Sequence, residues 1–203
     1  MSKIYVDEIR HSGGAVAAMQ FDSGGVVAEP NKEYFVVDLT TDQTGIADST
    51  QATVDLGGSG TVRYDTKSNF DTSNDAYLLD SSDGVYLISF GCGICSDSVG
   101  AEELEDAGCQ IEVATDGSTF TGLFGASERT LHSDNSLQGS VHLSGTYTYK
   151  ATTATTKIRM AVKADTSGGA NYEVRGRVQN NMQSLQFSTA TAHGTYLNIV
   201  RIA

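Results

Sequence analysis

Cys92-Gly93-Ile94-Cys95 is the stretch of this sequence with a metal or redox look. A zinc site needs two further ligands, and only Cys109 and four scattered histidines (His11, His132, His142 and His193) are there to supply them. A redox dithiol normally opens a helix in a βαβ setting, whereas these cysteines continue a strand pattern. At an offset of three on a strand the two sulfurs also leave opposite faces. Small buried thiols are the reading that follows. The acidic set Asp97, Glu102, Glu103, Glu105 and Asp106 offers carboxylate oxygens of the kind a hard divalent cation wants. It lacks the alternating Asp/Asn spacing with a central Gly of a calcium loop, so a solvated loop is expected. Arg175-Gly176-Arg177 puts two guanidinium groups on one strand face, suited to an intersubunit ion pair or to a solvated edge. There is no nucleophile elbow, Walker loop, dinucleotide glycine pattern or paired-histidine zinc motif. The 25 acidic residues permit many carboxylate pairs for glycoside hydrolysis, and spacing singles out none. The expectation is a non-enzyme with no catalytic residue, no metal and no cofactor.

The elements that would position these groups read as strands and turns. In Gly84-Val-Tyr-Leu-Ile-Ser-Phe90, the clearest strand, Val85, Leu87 and Ser89 share one face and Tyr86, Ile88 and Phe90 the other. Tyr34-Phe-Val-Val-Asp-Leu39 is a strand with a nearly continuous apolar run. Residues 52–56 and 61–64 flank Gly57-Gly58-Ser59-Gly60 as a hairpin. Residues 65–75 are polar turn material carrying Phe70, and a short strand at 76–79 precedes the turn Asp80-Ser-Ser-Asp-Gly84. Further strands are predicted at 109–115, 119–125, 140–150, 157–164, 171–179, 184–189 and 195–202. Residues 99–108 are the one stretch fit for a helical turn, ended by Gly108. Spacings of about 10 to 15 residues between turn signals indicate an all-β antiparallel sandwich or jelly roll.

The first 33 residues differ from the rest. Lys3 to Arg10 reads as a short strand, with Ile4 and Val6 on one face and Tyr5 and Ile9 on the other. A second extended piece runs over 15–21 between Ser12-Gly13-Gly14 and Ser23-Gly24-Gly25, and Pro30 marks a boundary. So little apolar material cannot bury a core alone. Two domains follow: an extended arm, 1–33, and a head, 34–203.

Composition agrees. Apolar residues make up 39%, charged residues 19%, and Ser, Thr and Gly together nearly a third, which suits short strands joined by turns. Thirteen basic against 25 acidic residues give a net charge of −12. That charge repels phosphate backbones and anionic headgroups, so neither nucleic acid nor a membrane surface is an expected partner. No apolar run reaches the length of a membrane span. Three cysteines without an export signal point to free thiols made in a reducing cytoplasm.

Two stretches carry a resemblance. Lys3-Ile4-Tyr5-Val6-Asp7-Glu8-Ile9 followed by Ser12-Gly13-Gly14 resembles the opening of small fibre-like structural proteins of tailed bacteriophages, notably marine ones. The later frame runs through Val62-Arg-Tyr-Asp-Thr66, Asn69-Phe70, Asp83 to Phe90 and Gly194-Thr195-Tyr196-Leu197-Asn198-Ile199-Val200-Arg201-Ile202. It is similar to the trimeric jelly roll of the tumour-necrosis-factor and complement-head type, over about 140 residues. Residues 91–150 depart from that pattern.

The resemblance implies a homotrimeric virion structural protein, a tail fibre or capsid decoration protein synthesised in the host cytoplasm. Residues 1–33 would hold it to other virion proteins by strand addition through Ile4, Tyr5, Val6 and Ile9. The head would face outward for host attachment, to a surface glycan or receptor, or would brace the capsid. Such trimers bury an aromatic-rich sheet around the three-fold axis, which makes Tyr86, Phe90, Tyr147, Tyr149 and Tyr196 the interface candidates. Those aromatics filling a monomer's own core is the other reading. The alternative function is a monomeric carbohydrate-binding module or glycan-acting enzyme on the same sandwich.

Overall fold

A computed structural model of the chain describes residues 8–9, 19–21, 27–28, 32–97, 104–129, 140–176 and 194–203. The chain divides into two compact units, Met1–Glu33 and Tyr34–Ala203. In the first unit β1 (Glu8–Ile9), β2 (Met19–Phe21) and β3 (Val27–Ala28) form a three-stranded antiparallel sheet in that order. Ile9 lies opposite Met19, and Phe21 opposite Val27. The sequence pattern shows two of these strands and misses β3, which is too short to display a period. The arm's first strand is therefore not wholly unspent, because one edge of β1 is paired with β2. Of the anchoring candidates, Ile4, Tyr5 and Val6 lie outside the described residues, and Ile9 is exposed.

The second unit holds β4 (Tyr34–Leu39), β5 (Gln43–Ile46), β6 (Ala52–Thr53), β7 (Gly60–Asp65), β8 (Phe70–Asp71), β9 (Ala76–Leu78) and β10 (Val85–Ser96). It continues with β11 (Leu104–Ala114), β12 (Thr121–Arg129), β13 (Ser140–Lys150), β14 (Lys157–Thr166), β15 (Tyr172–Arg175) and β16 (Tyr196–Arg201). A single 3-10 turn, Ser167–Gly169, is the helical element among the described residues. Among the described residues every strand pairing is antiparallel.

Strands β5, β15, β10, β16, β4 and β7 form one sheet, with β13 along the other edge of β10. β10 is its spine: β13 pairs it from Val85 to Cys95, while β16 and β15 share the opposite edge, first half and second half. The second sheet runs β12-β11-β14-β9-β8, with β6 also on β14. The inward residues of both sheets form one apolar cluster, so the unit is an antiparallel jelly-roll sandwich. Phe35 stacks on Tyr77 at 4.3 Å between ring centroids, and Tyr86, Phe90, Ile111 and Ile158 are wholly buried around them. On one flank the sandwich is closed by aromatics: the Phe124 ring of β12 lies 4.7 Å from Tyr147 of β13 and 5.7 Å from Phe90. Gly145 makes room for this, since a Cβ there would come within 2.8 Å of the Phe90 ring.

Three sequence expectations are corrected. Residues 52–64 are not a hairpin: β6 pairs β14 in one sheet and β7 pairs β4 in the other. The glycine-rich segment crosses between sheets because Val54 and Leu56 are drawn into the core. Residues 104–108 are strand and not a helical turn, since Leu104, Ala107 and Cys109 bury along β11. The strand expected at 171–179 ends at Arg175, and the one at 184–189 lies outside the described residues.

Candidate assembly face

A sheet in a sandwich has one face toward the core, and what its other face carries depends on residue parity along each strand. β10 turns Tyr86, Ile88, Phe90, Cys92 and Ile94 inward, so Val85, Leu87, Ser89, Gly91 and Gly93 look outward. Inter-strand register extends that outward face. Leu87 lies beside Val200, and Val200 beside Tyr34; one step along, Ser89 lies beside Asn198 and Asn198 beside Val36. The next row is Gly91, Tyr196 and Asp38.

β7 completes the surface. Tyr64 lies opposite Val36, and its ring is 5.6 Å from that of Tyr34. A register shift between Val36 and Val37 lets Arg63 reach Asp38, Nε donating to Oδ2 at 2.9 Å, so the Asp38 carboxylate on this face is neutralised. Tyr196 lies flat against its neighbour: a Cβ on Gly91 would collide with its ring. Tyr64 is 61% exposed, Tyr34 37% and Leu87 36%. The result is an apolar, aromatic sheet face at the surface of a single chain.

This geometry sorts the five interface candidates. Tyr86 and Phe90 are wholly buried in the core of one chain, because the even-numbered face of β10 meets the opposing sheet; neither is open to a neighbour. Tyr147 and Tyr149 lie opposite Ile88 and Tyr86, hence on the inward side of β13, with Tyr147 partly open at the seam against Phe124. Tyr196 lies on the outward face. Tyr34, Val36, Tyr64, Leu87 and Val200 join it there. Their signal is present in the sequence: Tyr34-Phe-Val-Val is apolar at consecutive positions, which an antiparallel strand needs only when both of its faces are covered.

The other candidate chemistry is spent inside the chain. Cys95 leaves β10 on the face opposite Cys92, and its thiol donates to Glu173 Oε1 at 3.0 Å while accepting from Arg175 Nε at 2.8 Å. Burial, and then the Glu173 carboxylate, push this thiol up to about 12, so it carries no nucleophilic thiolate at neutral pH. Arg175 also pairs with Asp42 at 3.0 Å, and Asp42 accepts the Gly176 N–H. The Arg175 guanidinium is thus committed within its own subunit, while Arg177 lies outside the described residues. Of the acidic set, Asp97, Glu105 and Asp106 are described and Glu102 and Glu103 are not. Among the described residues no three His, Cys, Asp or Glu side chains gather to hold a metal ion.

No protein-family model matches the sequence, and no curated protein is similar to it in sequence. Solved structures are similar in shape. A tumour necrosis factor, Eiger from S. frugiperda, matches with a TM-score of 0.53 at 9% identity, over 85% of this chain and 93% of that one. The fold is the tumour-necrosis-factor jelly roll. Murine APRIL matches with a TM-score of 0.51 at 12% identity, over 85% of this chain and all of that one. At such identities it is the path of the backbone that is shared with the tumour-necrosis-factor jelly roll.

Proposed function

We propose that this chain is a non-enzymatic structural protein that works as a homotrimer, its subunits joined through the outward face of the β13-β10-β16-β4-β7 sheet. The observation that carries the reading is that face: Tyr34, Tyr64, Leu87, Tyr196 and Val200 stand together at the surface of a chain of charge −12, and its Asp38 is already paired. Burying such a face against copies of itself removes apolar area from water without burying an unpaired charge. The tumour-necrosis-factor type of jelly roll, as it resembles this sequence, supports three copies over two. The opening motif of residues 3–14 supports a place on a phage particle, with the arm as the tether and the jelly roll as a head for host attachment or capsid bracing.

Light scattering behind size exclusion tests the assembly. The expected mass is three times 21.4 kDa, unchanged on dilution. Leu87→Glu puts one carboxylate per copy into the buried face. It is expected to yield folded monomer with an unchanged far-ultraviolet spectrum, because Leu87 borders solvent in a single chain. A wild-type monomer overturns the homotrimer, and a Leu87→Glu trimer overturns the choice of face.

A further inference from the structure

Three rows of outward residues cross the candidate assembly face, and the middle one is polar. Leu87, Val200 and Tyr34 make the row on one side of it, and Gly91, Tyr196 and Asp38 the row on the other. Between them run Thr146, Ser89, Asn198 and Val36, each opposite the next across a pair of strands. Thr146 Oγ1 donates to Ser89 Oγ at 3.3 Å. Asn198 is served differently. Its side-chain Oδ1 is shielded from solvent and accepts no hydrogen bond from the described residues. Water does not reach that oxygen where it stands, so a lone chain bears the cost of an amide carbonyl stripped of partners. The residue as a whole is partly open, however. A half-turn of its terminal amide, whose two settings differ little in torsional energy, exchanges Oδ1 for Nδ2 and frees the carbonyl from its shielded place.

We propose, resting on the homotrimer argued above, that Asn198 fixes the register of the face and with it the number of copies. In the assembly its side-chain carbonyl accepts a hydrogen bond from an O–H or N–H of a second copy. Tyr34, Tyr64, Leu87 and Val200 attract apolar partners without regard to direction, so a face built of them alone slides on its partner at little cost. A carbonyl at the centre removes that freedom. In the register that supplies a donor, the orphan of the lone chain is satisfied; in every slipped register it stays buried and unpaired. One amide inside an apolar interface thereby selects a single arrangement, at some expense in stability.

Light scattering behind size exclusion on the full-length chain is the test, with two substitutions on the face. Asn198→Leu removes the amide at nearly constant bulk. Val200→Leu, two residues on along β16 and on the same face, adds bulk and removes no polar group. Wild type and Val200→Leu are expected to run as a single trimeric mass, whereas Asn198→Leu spreads into two or more masses. A second measurement uses the Leu87→Glu monomer. Adding Asn198→Leu there should raise Tm by roughly 2–4 °C, because an apolar group replaces a shielded, unpaired acceptor. The same substitution thus stabilises the lone chain and unsettles the assembly, opposite effects that a plain packing role does not give. If Asn198→Leu runs as one trimer as resistant to dilution as wild type, the proposal is overturned and the homotrimer stands. A lowered Tm in the monomer overturns it too, as do mixed masses for Val200→Leu. A wild-type monomer, or a Leu87→Glu trimer, overturns the homotrimer or its face and takes this role of Asn198 with it.

Discussion

Single residues in this fold carry costs that their type does not announce. Asp75 sits at a left-handed φ of 52°, its Oδ1 accepting the Gly57 N–H at 2.6 Å. Desolvation raises its pKa above the ordinary 3.8 against the pull of that hydrogen bond, and Asp55 nearby adds to the rise. A raised folded value means that the stabilising contribution is present at acid pH and is lost as pH climbs through that value, so at neutral pH the ionised carboxylate works against folding. Asn tolerates the same backbone and keeps an acceptor without the charge. Asp75→Asn is therefore expected to stabilise at neutral pH, by under about 1 kcal/mol because the site is half open to solvent, and to lose that gain near about pH 3. Melting temperatures of both proteins at the two pH values check it; an equal difference at both sinks the argument. The residue scale is also where the sequence misleads about the candidate assembly face. Tyr86 and Tyr196 are the same residue type on neighbouring strands, and only parity combined with register separates the core tyrosine from the surface one.

At the scale of elements, the long strands are legible: β4, β10, β13 and β14 coincide with runs that alternate or stay apolar between turn signals. What escaped is which strands pair. Residues 52–64 look like a hairpin because local sequence holds turn residues between two apolar runs. The choice between a hairpin and a crossing is made by core space that only the opposing sheet defines. The crossing has its own local support, since Asp55 accepts from the Gly58 N–H at 2.7 Å and from Ser59 Oγ at 2.7 Å. It also passes so near Thr72 that a Cβ on Gly57 would strike the Thr72 carbonyl, a backbone group that cannot swing aside. Gly45, by contrast, has a φ of 71° with open space around it. Gly57→Ala is accordingly expected to cost about 1–3 kcal/mol through overpacking, and Gly45→Ala about 1 kcal/mol through backbone strain alone. Urea unfolding of the two variants should rank them in that order. The reverse order would mean that the crossing yields where its contacts say it cannot.

The whole molecule raises the question of what each unit needs from the other. Every member of the apolar cluster described for the jelly roll falls within Tyr34–Ala203, beginning at Phe35. Among its described residues the arm contributes three strands of two or three residues each, far short of what an independent core requires. The sequence shows this division plainly, as a change from sparse to dense apolar patterning near Pro30. A partner for the arm is not written in its residues, because strand addition relies on backbone hydrogen bonds that any extended segment offers. If the jelly roll owns its stability, a chain of residues 34–203 should melt cooperatively within a few degrees of the full-length protein and keep the same oligomeric mass. If the arm is the tether, that shortened chain should also fail to join particles that the full-length protein enters. Loss of cooperative melting would make residues 1–33 part of the fold, while normal particle entry by a well-folded 34–203 would move the tether into the jelly roll.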